Sequence, residues 1–458
     1  MNKKFGSAQF YKDALLIAVP IMLQQLIQNL VTLIDNFMVS GLGDISMSGV
    51  NVAGHFLFVF MVYLNAICMA GGIFLTQHYG ANNKKGMQQA FLFKLYMGLI
   101  AMIPFFLVTV VYPRQVLSLM LMGNSEAGAI LDEGVRYIRI MFAVGIPMTV
   151  SVCIATSMRD MGKVKIPLVV TAVATLTNTL FNWLLIYGNI GFPALGVRGA
   201  AYASVIARTL EFVIFIVIYI RVKPEFVVKI RDFLKIDMGM FMTILKKGYL
   251  VLFCELTWVI SETVTTAMYN GRGGAEVVSG MAASFTIANL FFIAFGGIYS
   301  STGVIIGKTL GEGNLEKARH QKNWLLSGAA VFGCIMALFG LLTTLLVPVV
   351  YGRLSNESVN ICRNMVILMS CFMPVWVYLN TQQAIARAGG DTAMGIQADT
   401  SVTIFVTVPL VLILGIYTDI GPVQLFLCVK MLDLLKLIFA SIILKKERWL
   451  KNLTIQSA

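Results

Sequence analysis

Read for hydrophobic and polar positions, the chain is a succession of long apolar runs separated by short polar ones. A helix that crosses the hydrocarbon core of a membrane needs about 20 mainly apolar residues. Twelve such runs are predicted, near 14–39, 52–78, 94–112, 136–158, 166–188 and 199–220, then 248–270, 281–307, 324–350, 363–386, 394–417 and 424–444. The expected fold class is all-α, a polytopic membrane protein of twelve transmembrane helices. The third run is the shortest, and the weakly amphipathic segment from Val116 to Met122 is expected on the surface after it. Prolines inside the runs, at Pro20, Pro104, Pro147, Pro348, Pro374 and Pro409, predict kinks. Membrane helices tolerate these where neighbours or water satisfy the freed carbonyls.

Composition agrees with this reading and narrows it. Only 12% of the 458 residues are charged, about half the share in a soluble globular protein. The longest polar stretch, Arg221 to Lys247, reads as a connector and leaves no room for a soluble domain. No small-residue cleavage site follows the first run, so it is expected to be a span and not a cleaved signal peptide. The net charge of +13 would suit a nucleic-acid partner, but its distribution argues otherwise. Most basic residues lie on the N-terminal side and in the even-numbered loops, among them Lys3, Lys4, Lys12, Lys84, Lys85, Arg159, Lys163, Lys317, Arg319, Arg387, Lys445 and Lys446. Fewer lie opposite: Arg114, Arg136, Arg139, Arg198, Arg272, Arg353 and Arg363. The positive-inside rule then puts both termini in the cytoplasm and makes the excess charge topological. No nucleic-acid partner is expected.

The seven cysteines stand singly, and there are three histidines, so neither a zinc site nor a disulfide framework is indicated. The chain has no HExxH, GxSxG or GxxxxGK[ST] pattern, which argues against an enzyme and against an ATP-driven pump. No cofactor is expected.

The two halves resemble each other in order. Gly43 and Gly49 recur as Gly274 and Gly280, and Gly80-Ala-Asn-Asn recurs as Gly311-Glu-Gly-Asn, all 231 residues on. Arg159-Asp-Met-Gly162 recurs as Arg387-Ala-Gly-Gly390, 228 residues on. Six runs per half give repeats of the same orientation, related by an axis along the membrane normal, an architecture suited to alternating access. The expected organisation is two pseudo-symmetric six-helix lobes, 1–220 and 248–458, joined by a cytoplasmic connector, 221–247.

Asp35 is the only charge between Ala14 and Val39. A carboxylate inside a span is costly and marks a functional site by default, typically for a proton or cation. The plainer alternative is an acid near a helix end that reaches to the interface. Gln24, Gln25, Gln28, Asn29 and Thr32 share its helix. Asn178 and Asn182 are four apart and share one helical face. With Asp35 and the Ser204 hydroxyl they would form an oxygen-rich cluster able to take a proton or hold Na+. In the second half, Glu255 and Glu262 lie seven apart on one side of a helix. They are candidates for ion coupling or attraction of a cationic substrate, against a plainer role as hydrogen-bonded interior acids. Asp399 is expected to face the cytoplasm. Lys430, Asp433 and Lys436, and likewise Arg208 and Glu211, are expected to be structural ion pairs.

Several segments resemble the multidrug and toxic compound extrusion (MATE) family. They are Pro20-Ile-Met-Leu-Gln-Gln with Ile34-Asp35-Asn-Phe-Met-Val-Ser-Gly-Leu-Gly43, Asn178-Thr-Leu-Phe-Asn182-Trp-Leu-Leu-Ile-Tyr-Gly188, and Gly196-Val-Arg-Gly-Ala-Ala-Tyr-Ala-Ser204. The Met-Arg-Asp-Met-Gly and Ala-Arg-Ala-Gly-Gly-Asp elements and Glu447-Arg-Trp449 also fit, so the resemblance runs the whole chain. It implies a secondary active antiporter that expels lipophilic or cationic drugs in exchange for H+ or Na+ by alternating access. It also implies a second acid at the place of Asn182. In sodium-coupled members it implies an acid at the place of Asn380 beside that of Glu255. Both positions are amides here, which weakens a Na+ site. Gln28, Asn29 and Tyr137 are candidate liners of a substrate cavity. The alternative is a lipid-linked precursor flippase of the same fold, which needs several basic residues in its cavity where this chain offers more acids. A monomer in the inner (plasma) membrane, surrounded by lipid, is expected.

Overall fold

The computed structural model describes residues 4–121, 127–351 and 354–455, so Lys3, Met122 and Arg353 lie outside the described residues. The expected spans form helices α1 (Ala8–Ser40), α2 (Asp44–Gly80), α3 (Lys84–Val111), α4 (Ala127–Asp160), α5 (Lys165–Tyr187) and α6 (Val197–Arg221). The second half repeats the series as α7 (Met238–Asn270), α8 (Ala275–Gly311), α9 (Leu315–Thr343), α10 (Asn356–Ala388) and α11 (Ala393–Tyr417), then α12 (Pro422–Lys445). Among the described residues, eleven of these are long and apolar enough to cross a membrane. The twelfth, α12, carries Lys430, Asp433 and Lys436 in its middle.

Most helices overrun the predicted runs because their polar ends continue the helix past the apolar stretch. The third span shows this best: it begins at Lys84 and has 28 residues, whereas α5 is the shortest of the eleven with 23. The segment after α3 is only partly superficial. Leu119 and Met120 are exposed, but Leu117 is fully buried. The prolines divide into two kinds. Pro20 and Pro374 sit inside continuous helices. Pro104, Pro147, Pro348 and Pro409 stand in the first turns of helical pieces that restart after a break, where the missing N–H has no partner to lose.

Close packing sorts the chain into two compact units. One comprises Leu23–Leu75 and Lys84–Ile244. The other comprises Leu245–Ala458 together with Met1–Met22 and Thr76–Asn83. In the first unit the connector is docked rather than loose. Lys163 Nζ reaches Glu225 Oε2 at 2.6 Å, and Gln88 and Tyr96 donate to the Val227 and Phe233 carbonyls at 2.6 and 2.9 Å.

The recurring sequence elements are helix caps and crossings. Gly162 and Gly390 both have φ of 76°, a left-handed geometry that a β-carbon disfavours. One residue later, the N–H of Lys163 returns to the Met158 carbonyl, and that of Asp391 to the Ala386 carbonyl, each at 2.9 Å. This is the six-to-one bond of a helix C-cap. Asn82 and Gly313 are left-handed at the equivalent ends of α2 and α8. In the unit that holds both, those ends cross: a β-carbon on Gly80 would overlap the Lys308 carbonyl, and one on Gly311 the Gln77 carbonyl. The two contacts exchange under the 231-residue repeat. Gly311→Ala should therefore lower stability by about 1–3 kcal/mol. Gly303→Ala, which meets nothing within 4 Å, should cost none. Thermal melts in detergent separate the two, and equal melting temperatures would refute the crossing's importance.

Candidate functional site

Two polar rungs tie α1 to α5 in the first unit. Gln24 Nε2 donates to Thr171 Oγ1 at 2.8 Å, and Asn182 Nδ2 donates to Asp35 Oδ1 at 2.7 Å. The rungs are eleven residues apart on both helices, about 16 Å along each axis, so the helices run parallel. Helix α6 closes on α5 at Gly199, and Ala200, Ala201 and Ala203 beside it are buried too. A β-carbon on Gly199 would overlap the Leu185 carbonyl. Small residues at a membrane interface permit that approach, and it brings Ser204 to the asparagines.

The result is a compact cluster around a half-buried carboxylate. With its amide nitrogen turned to Asp35, Asn178 donates to Oδ2 at 2.9 Å and accepts from the Ser204 N–H at 3.3 Å. In the opposite orientation its oxygen accepts from Asn182 Nδ2 at 3.3 Å and its nitrogen reaches Ser204 Oγ at 3.4 Å. Tyr137, from α4, is buried beside Ser204. Arg208 pairs with Glu211 at 2.7 Å and adds positive potential at Asp35. Asn182 Oδ1 is buried without a partner. The four grouped residues Asp35, Asn178, Asn182 and Ser204 thus come together. Tyr137, expected only as a cavity liner, belongs with them. Gln28 and Asn29 are exposed and take no part in the cluster.

The second unit is arranged differently. Glu255 forms an ion pair with Arg387 Nη1 at 3.1 Å, and the guanidinium lies 5.8 Å from the Tyr299 ring centre. The residues alone do not reveal this partner, because Arg387 stands in a helix-end motif, 132 residues from Glu255, where a topological charge is expected. Asn380 does not join Glu255; its Nδ2 donates to the Trp376 carbonyl one turn back, at 3.1 Å. Glu262 lies apart from Glu255, near Tyr269. Asp399 does not simply face the cytoplasm: Lys436 Nζ binds it at 2.8 Å, and Asp433 at 3.5 Å. A π-helical turn, Ile396–Thr400, carries Asp399. Lys430 is not in that ion pair; its ammonium lies over the Trp376 and Phe426 rings. Among the described residues, no group of three or more His, Cys, Asp or Glu is arranged to hold a metal ion.

Arg387→Met should strand the Glu255 carboxylate and lower stability by about 3 kcal/mol, and Glu255→Gln in the same chain should recover most of it. Chemical denaturation in detergent measures both. Equal losses in the single and double variants would show that the pair carries no coupling.

The MatE family model matches residues 20–184 and again 251–415, so the second match begins and ends 231 residues after the first. A probable multidrug resistance protein NorM from Thermotoga maritima is 23% identical over 326 residues, covering 69% of this chain and 67% of its own. Its namesake from Halalkalibacterium halodurans is 24% identical over 328 residues, covering 70% and 69%. The crystal structure of a MATE protein in the straight conformation superposes with a TM-score of 0.83 over 95% of this chain and 96% of that one, at 18% identity, which shows a shared fold. The family model, matched twice at the spacing of the internal repeat, covers well over half the sequence, and the chain belongs to the MatE family of transporters.

Proposed function

We propose that the protein is a secondary active antiporter that exports lipophilic and cationic organic compounds in exchange for protons, with Asp35 as the coupling group. The observation that carries this reading is a carboxylate held inside a membrane span by the amides of Asn182 and Asn178. The drug-resistance names of the relatives support the class of cargo. A proton fits better than Na+ because the carboxylate meets N–H donors, not further oxygens. A sodium ion would need those amides reversed and would still find one negative charge. Asn178 can serve both charge states of Asp35: its nitrogen faces the anion, and its oxygen can accept from the acid.

The proposed cycle follows from that switch. Ionised Asp35 is held to α5 by charge-assisted hydrogen bonds. Protonation weakens them and frees this part of α1, which contains Pro20 and so lacks one ladder bond there. The conformation favoured by the proton releases cargo outward, and proton loss to the inside resets it. The proton can shift the equilibrium only by its differential affinity for the two states. In this reading both termini lie on the cytoplasmic side of the plasma membrane, which the distribution of basic residues supports, and the protein acts as a monomer. A diphosphate-binding flippase is less well supported, because Lys94, Arg208, Arg387 and Lys436 each meet a carboxylate instead of standing free.

Efflux of a fluorescent lipophilic cation from everted vesicles tests the reading under separately imposed proton and sodium gradients. A proton gradient should drive it and a sodium gradient alone should not. Asp35→Asn should slow proton-driven efflux by at least about tenfold, the equivalent of about 1.4 kcal/mol. Full-rate efflux in that variant would remove Asp35 from the mechanism.

A further inference from the structure

Charges inside a membrane persist only when balanced, and the second unit's spans are not in balance. Glu255 is matched by Arg387 and Asp399 by Lys436. That leaves two carboxylates, Glu262 and Asp433, against one ammonium, Lys430. Asp433 accepts the indole N–H of Trp376 at 2.8 Å and has only the long 3.5 Å contact to Lys436. The Glu262 carboxylate, half-buried, makes no hydrogen bond or ion pair with any described residue. Lys430 has no carboxylate partner among the described ion pairs. Its Nζ lies 5.7 Å from the centre of the Trp376 ring and 5.3 Å from that of Phe426.

A further observation marks the same place. The Tyr269 hydroxyl is buried, at 1% exposure, and has no hydrogen-bond partner. Its ring is 5.6 Å from Phe426, and the charges of both Glu262 and Asp433 act on it. Phe426 thus packs against both the ring of the orphaned Tyr269 and the Lys430 ammonium, and Trp376 links that ammonium to Asp433. The aromatic surface is also larger than that ammonium needs. Phe292 and Phe295 pack edge-on to Trp376 at 5.8 and 6.5 Å, and all three remain half-buried rather than sealed. Ring faces beside carboxylates bind organic cations.

We propose that this cluster is a cation-binding site separate from the Asp35 cluster, in which Lys430 is the resident counter-ion and a lipophilic monocation takes its place. The cargo cation lies on Trp376, Glu262 and Asp433 supply the opposing charge, and the Lys430 ammonium moves aside. The inference rests on the reading of the protein as an exporter of organic cations. It predicts a gain that loss of a merely structural lysine would not produce: removing Lys430 removes a competitor.

The test is equilibrium binding of tetraphenylphosphonium to the purified full-length protein in lipid nanodiscs, without any gradient. Lys430→Gln should tighten binding by about tenfold, Lys430→Arg should leave it near wild type, and Trp376→Leu should weaken it by about tenfold. Glu262→Gln has no partner to lose, so it should melt like wild type and still bind several-fold more weakly. A folded Lys430→Gln protein with unchanged or weaker affinity overturns the proposal. Should that variant fail to fold, unchanged affinity in Glu262→Gln overturns it equally. A wild-type protein that binds and exports the cation while these variants bind alike defeats only this site. A wild-type protein that neither binds nor exports it defeats the exporter reading as well.

Discussion

The Asp35 carboxylate of α1 is satisfied by amide donors that α5 brings to it. An ion taken out of water costs several kcal/mol unless opposite charge or hydrogen bonds replace the solvent. Here Asn182 and Asn178 do that from a single helical face. The rest of the first unit serves this contact. The Gln24–Thr171 bond sets the register of α1 on α5. The small residues of α6 bring Ser204, and through it Tyr137, against the asparagines. The Arg208–Glu211 pair keeps a positive charge close without bonding the carboxylate directly.

The internal repeat preserves the backbone while its chemistry diverges. The caps at Gly162 and Gly390 share a φ of 76°, and the crossing at Gly80 and Gly311 is reciprocal. At equivalent side-chain positions the halves differ. Where the first has the neutral pair Gln24 and Thr171, the second has Glu255 and Asp399, each answered by a cation from another helix. The first unit thus isolates one acid among amides, and the second spreads several charges through a network. A switch suits the former and an attractive surface for positive cargo suits the latter.

The sequence was most informative where the physics is local. Apolar runs marked the spans because each helix must satisfy its own backbone in lipid. Residues three or four apart on one helix were read correctly as neighbours, as with Arg208 and Glu211, Asp433 and Lys436, and the two asparagines. What was not legible was which helix faces which. Arg387 looked like a cytoplasmic charge and is 8% exposed, bound to Glu255 from α7. Asp399 looked solvated and is held by Lys436 from α12. Such partners are separated by tens to more than a hundred residues, and helical periodicity says nothing about them. The helices run past the apolar runs for another reason: polar residues such as Lys84 continue a helix that hydropathy alone ends.

We propose that Asp35 changes charge during the cycle and that this charge selects the conformation. Infrared difference spectroscopy of the purified protein in lipid, recorded through a pH titration with and without a bound organic cation, reads that charge directly. A protonated-carboxyl band should grow as pH falls, shrink when the cation binds, and be absent in Asp35→Asn. A band that is unaffected by cation binding, or that persists in Asp35→Asn, would contradict the proposal.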